Sequence, residues 1–322
     1  MLDADTLYSL LYSMLRIRKV EERIAELYPE QEMRCPVHLC IGQEAIAAGV
    51  CANLSHDDYV LSNHRSHGHY LAKGGDLKAM IAEIYGKATG ASKGRGGSQH
   101  LIDLSANVLG TVPLVGGTIP VAVGAAFASV MQDKGNVAVV FFGDGAVEEG
   151  VFHESLNFAS LKNLPVIFVC ENNLYAVHTP LSERQPQREI FSLAKGHAVD
   201  TFQVDGNDAI EIYKMAKDAV SKAKNGGGPT FLECKTYRLR EHCGPNYDAD
   251  IGYRGAEEIE DWQNRDPIEK LKIDMMNNDI TLDEKLKKMT KEIEGEIEEA
   301  VIFARESPFP QPDQFLKHIY SD

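Results

Sequence analysis

The residue types most able to do chemistry stand in "GDGAVEEG", residues 143–150, and in "ENNLYAVHTP", residues 171–180. The first presents Asp144 between two glycines, directly behind the apolar run "NVAVVFF" at 136–142. An acid is thus offered where a buried strand ends, and glycine lets the backbone there turn tightly and approach a ligand. Taken alone, Asp144 reads as a helix N-cap or turn aspartate. The second stretch opens Glu171-Asn172-Asn173 at the end of the next apolar run, with Asn173 placed 29 residues after Asp144. One strand–helix–strand unit has about that length, so the two side chains could project from neighbouring strand ends. A carboxylate, an amide oxygen and nearby main-chain carbonyls are hard oxygen ligands of the kind Mg²⁺ takes, with phosphate oxygens completing its octahedron.

Strand-like runs at 137–142, 165–171 and 230–237 alternate with helix-spaced segments at 146–163 and 209–225. Their continuous rather than alternating apolar character predicts strands covered on both faces, hence an α/β, doubly wound, mostly parallel sheet. Ligands of such sheets gather at the carboxyl ends of the strands, where both motifs fall. The first 27 residues read as an amphipathic helix, and residues 283–304 as a helix with a solvated face. No linker or repeat interrupts the chain, so residues 1–322 are expected to form one elaborated domain with helical extensions at both ends. The uncharged stretch 112–131 is as long as a membrane span. Pro113, Pro120 and Gly116-Gly117 break it into a loop and a short helix, and buried core is the expectation.

Composition narrows the function classes. The 322 residues are 43% apolar and 25% charged, an ordinary globular balance. With 48 acids against 33 bases the net charge is −15, which disfavours nucleic acid or a membrane surface as the main partner. Six cysteines form no CxxC pair or regular framework, and the acid-containing start resembles no transit or signal peptide. A cytoplasmic protein with reduced thiols is expected.

"GDG" followed by "NN" at this spacing resembles the diphosphate-binding motif of thiamin-diphosphate enzymes. Together with "HLCIGQEA" (38–45), "HRSHGHYLAKG" (64–74), "KGRGGSQH" (93–100) and "TYRLREH" (236–242), in this order, the chain resembles the alpha subunit of two-chain 2-oxo acid dehydrogenases. Pyruvate, branched-chain and acetoin members all share that pattern. The resemblance runs from about residue 10 to "FARESPFPQP" at 303–312.

The resemblance implies thiamin diphosphate and Mg²⁺ as cofactors, with Asp144, Asn173 and the main-chain oxygen of Tyr175 as metal ligands. It implies Gly145 and Ala146 as backbone donors to the diphosphate, and Arg65 and His242 as the basic residues on its oxygens. Arginine can grip such oxygens in a bidentate way. Pro113 and Val115 match loop positions that hold the aminopyrimidine, and Val177 matches an apolar wedge beneath the cofactor; ordinary core is the alternative for Val177. His38 matches a histidine near the reacting carbonyl, where a donor can steady a developing oxyanion. His64 and His242 complete the expected catalytic set. Glu148 and Glu149 suit a helix N-terminus, although Glu149 also matches a position near the diphosphate.

In such enzymes the cofactor carries the decarboxylation of a 2-oxo acid, and the acyl fragment passes to a lipoyl group on a separate acyltransferase core. The glutamate that activates the pyrimidine comes from a beta subunit, so two alpha and two beta chains are expected, with this chain inactive alone. Two departures from the family pattern stand out. His64 replaces a tyrosine common in pyruvate and branched-chain members. Cys243-Gly244-Pro245 replaces the phosphorylatable serine of regulated members, so control by a kinase at that position is not possible. Three further readings stay open: an acetoin-cleaving or transketolase-like enzyme with a non-lipoyl acceptor, a non-catalytic scaffold subunit, and a transition-metal site at His64, His67 and His69. Cys35 and Cys40 flank His38 without a zinc-like spacing.

Overall fold

The computed structural model describes residues 2–314 and 317. Its strands are β1 (Tyr59–Ser62), β2 (Val108–Thr111), β3 (Ala138–Gly143), β4 (Val166–Asn172), the two-residue β5 (Tyr175–Ala176) and β6 (Thr179–Pro180), β7 (Asp200–Asp205) and β8 (Thr230–Lys235). Six of them form one parallel sheet in the order β2-β1-β3-β4-β8-β7, while β5 and β6 pair antiparallel as a small hairpin. The doubly wound α/β arrangement is as the apolar runs imply, because β3 and β4 are buried along almost their whole length. Along these strands alternate residues serve two cores. Val139, Phe141, Ile167, Val169 and Leu232 enter one, and Ala138, Val140, Phe142, Phe168 and Phe231 the other.

The first core is closed by the helices Ala4–Leu27, Glu44–Cys51, Leu77–Ile84, Ala209–Lys224 and Asp283–Glu306. Asp3 caps the N-terminal helix by accepting from Thr6 N at 2.8 Å. The Asp283–Glu306 helix buries Ile293, Ile297, Ala300, Val301 and Ala304, so one stripe of it packs while the rest is solvated. The second core is closed by the helices Thr118–Met131 and Gly150–Leu161.

Strand order reverses between β1 and β3. From β1 the chain crosses to β2 on one side and then returns to β3 on the other. The crevice outside the carboxyl ends at such a reversal is where open α/β sheets bind ligands. There Ser62 leads into Asn63-His64-Arg65, and Gly143 leads into Asp144. Full register sets Gly143 beside Glu171, and Asn172 beside Lys235.

Two local expectations are corrected. Residues 146–163 are not one helix. Asp144–Glu148 form a 3₁₀ turn, Glu149 is extended, and the α-helix starts at Gly150. Glu148 therefore does not serve the helix dipole; its carboxylate accepts from Gln185 Nε2 at 2.9 Å and pairs with Arg184. Glu149 stands at the N-cap position, exposed and without a side-chain capping bond. Nor is 112–131 buried throughout. Ile119, Ala122, Val123 and Ala126 are buried, but Leu114, Val115, Val121, Val130 and Met131 are exposed, so the helix carries a second apolar stripe facing outward. Among the described residues no helix is long and apolar enough to cross a membrane.

Candidate active site

A cavity of about 300 Å³ opens at this reversal. Every site residue expected from the sequence lines it: His38, His64, Arg65, Pro113, Val115, Asp144, Gly145, Ala146, Asn173, Tyr175, Val177 and His242. Gln43, Gln99 and Glu171 also line it and have no role assigned from the sequence, though the first lies inside the quoted "HLCIGQEA", the second inside "KGRGGSQH", and Glu171 opens the second motif.

The lining contains a buried carboxylate. Asp144 is 1% exposed, and burial pushes its carboxyl upward against the pull of Arg184. The Arg184 guanidinium bridges Asp144 and Glu148, and Gln185 Nε2 reaches the Asp144 carbonyl at 3.4 Å. Nothing in the sequence signalled Arg184, which ends the short helix Leu181–Arg184, 40 residues from its partner. Of the paired asparagines, Asn172 turns into the sheet and donates to Glu233 Oε1 at 2.8 Å. Asn173 lines the cavity, its Oδ1 accepting from Tyr175 N at 3.3 Å. The Tyr175 hydroxyl donates to Glu258 at 2.9 Å, anchoring the hairpin. Gly145 has a packing reason: a Cβ there would lie 3.3 Å from the Cβ of Ala176.

Val177 is not ordinary core. It is 49% exposed, lines the cavity, and has φ of +55°, a conformation a β-branched residue adopts only under constraint. The constraint is visible: buried Arg238 donates to the Val177 carbonyl at 2.7 Å. Arg238 is fixed in turn by Asp248, which Arg254 and Tyr253 also engage.

The lining also contains a basic group. Arg65 is 4% exposed; its Nη1 donates to Leu39 O at 2.6 Å and its Nη2 to His242 O at 3.1 Å. Its hydrogen bonds among the described residues go to carbonyls and an imidazole, with no carboxylate. Burial and the nearby Arg238 pull its pKa down to about 10. His242 is placed by the loop that follows it, since Gly244 N donates to Val37 O at 2.8 Å. That contact also brings in His38, whose Nδ1 lies 3.1 Å from Gln99 Nε2. Burial, reinforced by Arg65, lowers His38 to about 2, His242 to about 3 and His64 to about 4. All three are neutral imidazoles at physiological pH.

The alternative grouping of His64 with His67 and His69 in one metal site does not occur. His67 is sealed between Glu21 Oε1 at 2.5 Å and Ser98 Oγ at 2.7 Å. His69 lies between Ser62 Oγ at 2.8 Å and Glu171 Oε1 at 3.1 Å, stacked on Phe141. Their spacing puts them on the His67–Ala72 helix, which carries them away from His64 into the core.

The dehydrogenase E1 component family matches residues 12–313 of this sequence. The chain belongs to that family. It is similar to the alpha subunit of acetoin:2,6-dichlorophenolindophenol oxidoreductase of Bacillus subtilis (strain 168), at 41% identity over 95% of this chain and 91% of the relative. It is also similar to the chloroplastic pyruvate dehydrogenase E1 component subunit alpha-3 of Arabidopsis thaliana, at 39% over 96% and 73%. The pyruvate dehydrogenase E1 component subunit alpha of Porphyra purpurea shares 38% over 96% and 91%. As an E1 alpha chain, the protein is a subunit of a thiamin-diphosphate-dependent 2-oxo acid dehydrogenase and pairs with a beta subunit.

The residues present fit that cofactor. A buried guanidinium without a carboxylate partner suits a diphosphate, a buried carboxylate in the same lining as an asparagine amide suits a hard cation, and Gln43, whose Oε1 is buried and unpartnered among the described residues, lines the same cavity.

Proposed function

We propose that this E1 alpha chain holds thiamin diphosphate through Mg²⁺, with Asp144, Asn173 Oδ1 and the main-chain oxygen of Tyr175 as the protein's metal ligands. Gly145 and Ala146 offer backbone N–H groups to the diphosphate, Arg65 neutralises its oxygens, and His242, an uncharged imidazole, donates a hydrogen bond to them. Pro113 and Val115 hold the pyrimidine end, and Val177 presents its apolar side chain beneath. The observation that supports this most is that one cavity is lined by both Arg65, a buried guanidinium without a carboxylate partner among the described residues, and Asp144, a buried carboxylate whose ion-pair partner is Arg184.

When bound, thiamin diphosphate supplies the carbanion equivalent and the electron sink for loss of carbon dioxide from a 2-oxo acid. The chain's own residues orient and polarise. His38, His64 and His242, being neutral, donate hydrogen bonds to the substrate carboxylate or to negative charge developing on its carbonyl oxygen. The walls of Leu114, Val115 and Val177 exclude water. The activating glutamate comes from the beta chain, in an assembly of two alpha and two beta chains, and a lipoyl-bearing acyltransferase core takes the acyl group. We read residues 1–322 as one α/β domain. Six unpaired cysteines, four of them buried, support a reducing, cytoplasmic setting.

Native mass spectrometry of the assembly purified through a tag on this chain tests the reading. A second chain of similar size with thiamin diphosphate and Mg²⁺ is expected; a cofactor-free homo-oligomer would overturn it and favour a scaffold. One observation favours acetoin as an alternative substrate. His64 lies with its ring centroid 4.7 Å from that of His38, where pyruvate and branched-chain members commonly have tyrosine, and the Bacillus relative is named for acetoin. Turnover of acetoin with dichlorophenolindophenol, and none of pyruvate, would decide for it.

A further inference from the structure

His38, His64 and His242 come from three separate loops and meet edge to face, with ring centroids 4.7, 5.0 and 5.4 Å apart. Each offers a ring nitrogen, and the three nitrogens lie within 4.8 Å of one another. We propose that this triangle binds one borderline transition-metal ion of the zinc class, leaving one coordination position open to the cavity.

Three arguments carry the proposal. The first is ligand chemistry. Three imidazoles with an open fourth position form a recurrent zinc-binding set, and ligating imidazole must be neutral, as burial keeps all three here. The second is geometry. Tetrahedral bonds of about 2.1 Å set ligand nitrogens about 3.4 Å apart, so the rings must close by roughly 1.4 Å from their widest separation, shared among three side chains. The third is support. Gln99 Nε2 lies 3.1 Å from His38 Nδ1, and the same amide turned over presents its oxygen to an Nδ1–H, the outer contact that fixes a ligating histidine.

Arg65 opposes any cation here, its Nη2 lying 3.5 Å from His242 Nδ1. That repulsion is the same for every divalent ion, so the three nitrogen ligands do the selecting: Mg²⁺ prefers oxygen, and only ions that bond strongly to imidazole can offset the charge. His64 completes the set; tyrosine in its place leaves two imidazoles. Because the same rings line the cofactor cavity, a bound zinc-class ion and thiamin diphosphate would exclude each other. This last consequence rests on the functional reading above, whereas the metal site itself does not.

The test is a Co²⁺ titration of the assembly purified through a tag on the full chain and stripped of metal and cofactor. One Co²⁺ per chain with the intense visible absorption of tetrahedral cobalt is expected, bleached by an equivalent of Zn²⁺. His64→Tyr and His242→Gln should each weaken binding at least about tenfold, while Asp144→Asn leaves it unchanged. Two variants are used so that if one fails to fold, as judged by circular dichroism, the other still decides. Absence of the tetrahedral absorption, or its persistence in a folded variant, overturns the proposal. Thiamin diphosphate with Mg²⁺ should release the Co²⁺; retention with the cofactor bound overturns the exclusion. A protein that takes Co²⁺ but never thiamin diphosphate overturns the functional reading and leaves the metal site standing.

Discussion

The guanidinium of Arg184 is paired with the carboxylate of Asp144, so the proposed metal ligand already carries a counter-charge drawn from its own chain. A metal must displace Arg184 to reach Asp144. Arg184→Ala is therefore expected to tighten Mg²⁺ binding about tenfold while destabilising the metal-free protein by about 3 kcal/mol, the cost of leaving a buried charge unpaired. Mg²⁺ titrations followed by thermal unfolding measure both. An unchanged Mg²⁺ affinity would mean that Arg184 and the metal do not compete.

Asp144→Asn keeps the shape and removes the charge. Thiamin diphosphate affinity in Mg²⁺ is expected to fall at least about 100-fold, about 2.7 kcal/mol, with the circular dichroism spectrum retained; Asn173→Ala should behave alike. Isothermal titration calorimetry gives the number. Full affinity in either variant removes that residue from the ligand set.

Arg65→Lys retains a positive charge but loses the planar fork. Diphosphate binding should weaken about tenfold to a hundredfold, because a lysine ammonium cannot hold Leu39 O and His242 O while gripping phosphate oxygens. Competition by inorganic pyrophosphate reads this directly, and equal affinity would show that charge alone suffices.

Burial holds the pKa of His64 at about 4, below the ordinary 6.5. As pH falls through 6.5 the unfolded chain takes up the proton first, so this residue's stability contribution is complete above 6.5 and is lost toward pH 4. His242 and His38 act in the same direction over wider windows, down to about 3 and 2. The slope of stability against pH between 6 and 4.5 should be shallower in His64→Tyr, by at most about 1.4 kcal/mol per pH unit. Identical slopes would mean that His64 titrates normally.

Val177→Gly relieves a left-handed β-branched residue, and about 1 kcal/mol of stability should be gained. Cofactor affinity should fall together with that gain, since the side chain lining the cavity is deleted. Differential scanning calorimetry with and without thiamin diphosphate separates the two effects.

The central sheet was legible because β3 and β4 carry continuous apolar runs buried on both faces and β8, though it contains Glu233, is buried through Cys234. β1 and β2 are only four residues each, "YVLS" and "VLGT", and β7, "DTFQVD", is a polar edge strand, so none rises above its surroundings in apolar pattern. Without β1 the reversal of strand order could not be seen, although Arg65 lies three residues beyond its end. Asp144 and Asn173 were readable because they stand in two compact motifs. Arg184 was not, because an arginine among polar residues becomes a partner of Asp144 only when the β5–β6 hairpin and the short helix Leu181–Arg184 behind it fold it back. Nearness in sequence left a metal site at His64, His67 and His69 open as an alternative; the structure separates these rings because a helix begins at His67, and helical geometry decides which rings meet.

Glu21, on the N-terminal helix, reaches two places at once: Oε2 accepts from Cys40 N at 2.7 Å, and Oε1 meets His67 at 2.5 Å. Cys40 ends the segment that carries His38 and the Leu39 carbonyl gripped by Arg65, while His67 follows Arg65 by two residues. A helix outside the sheet thus acts as a spacer gauge for the loops on which the cavity depends. Inserting a single residue ahead of Glu21 would swing its carboxylate by about 100° around the helix axis, so a change in sequence length far from the cavity would be felt there as misalignment of its cationic wall.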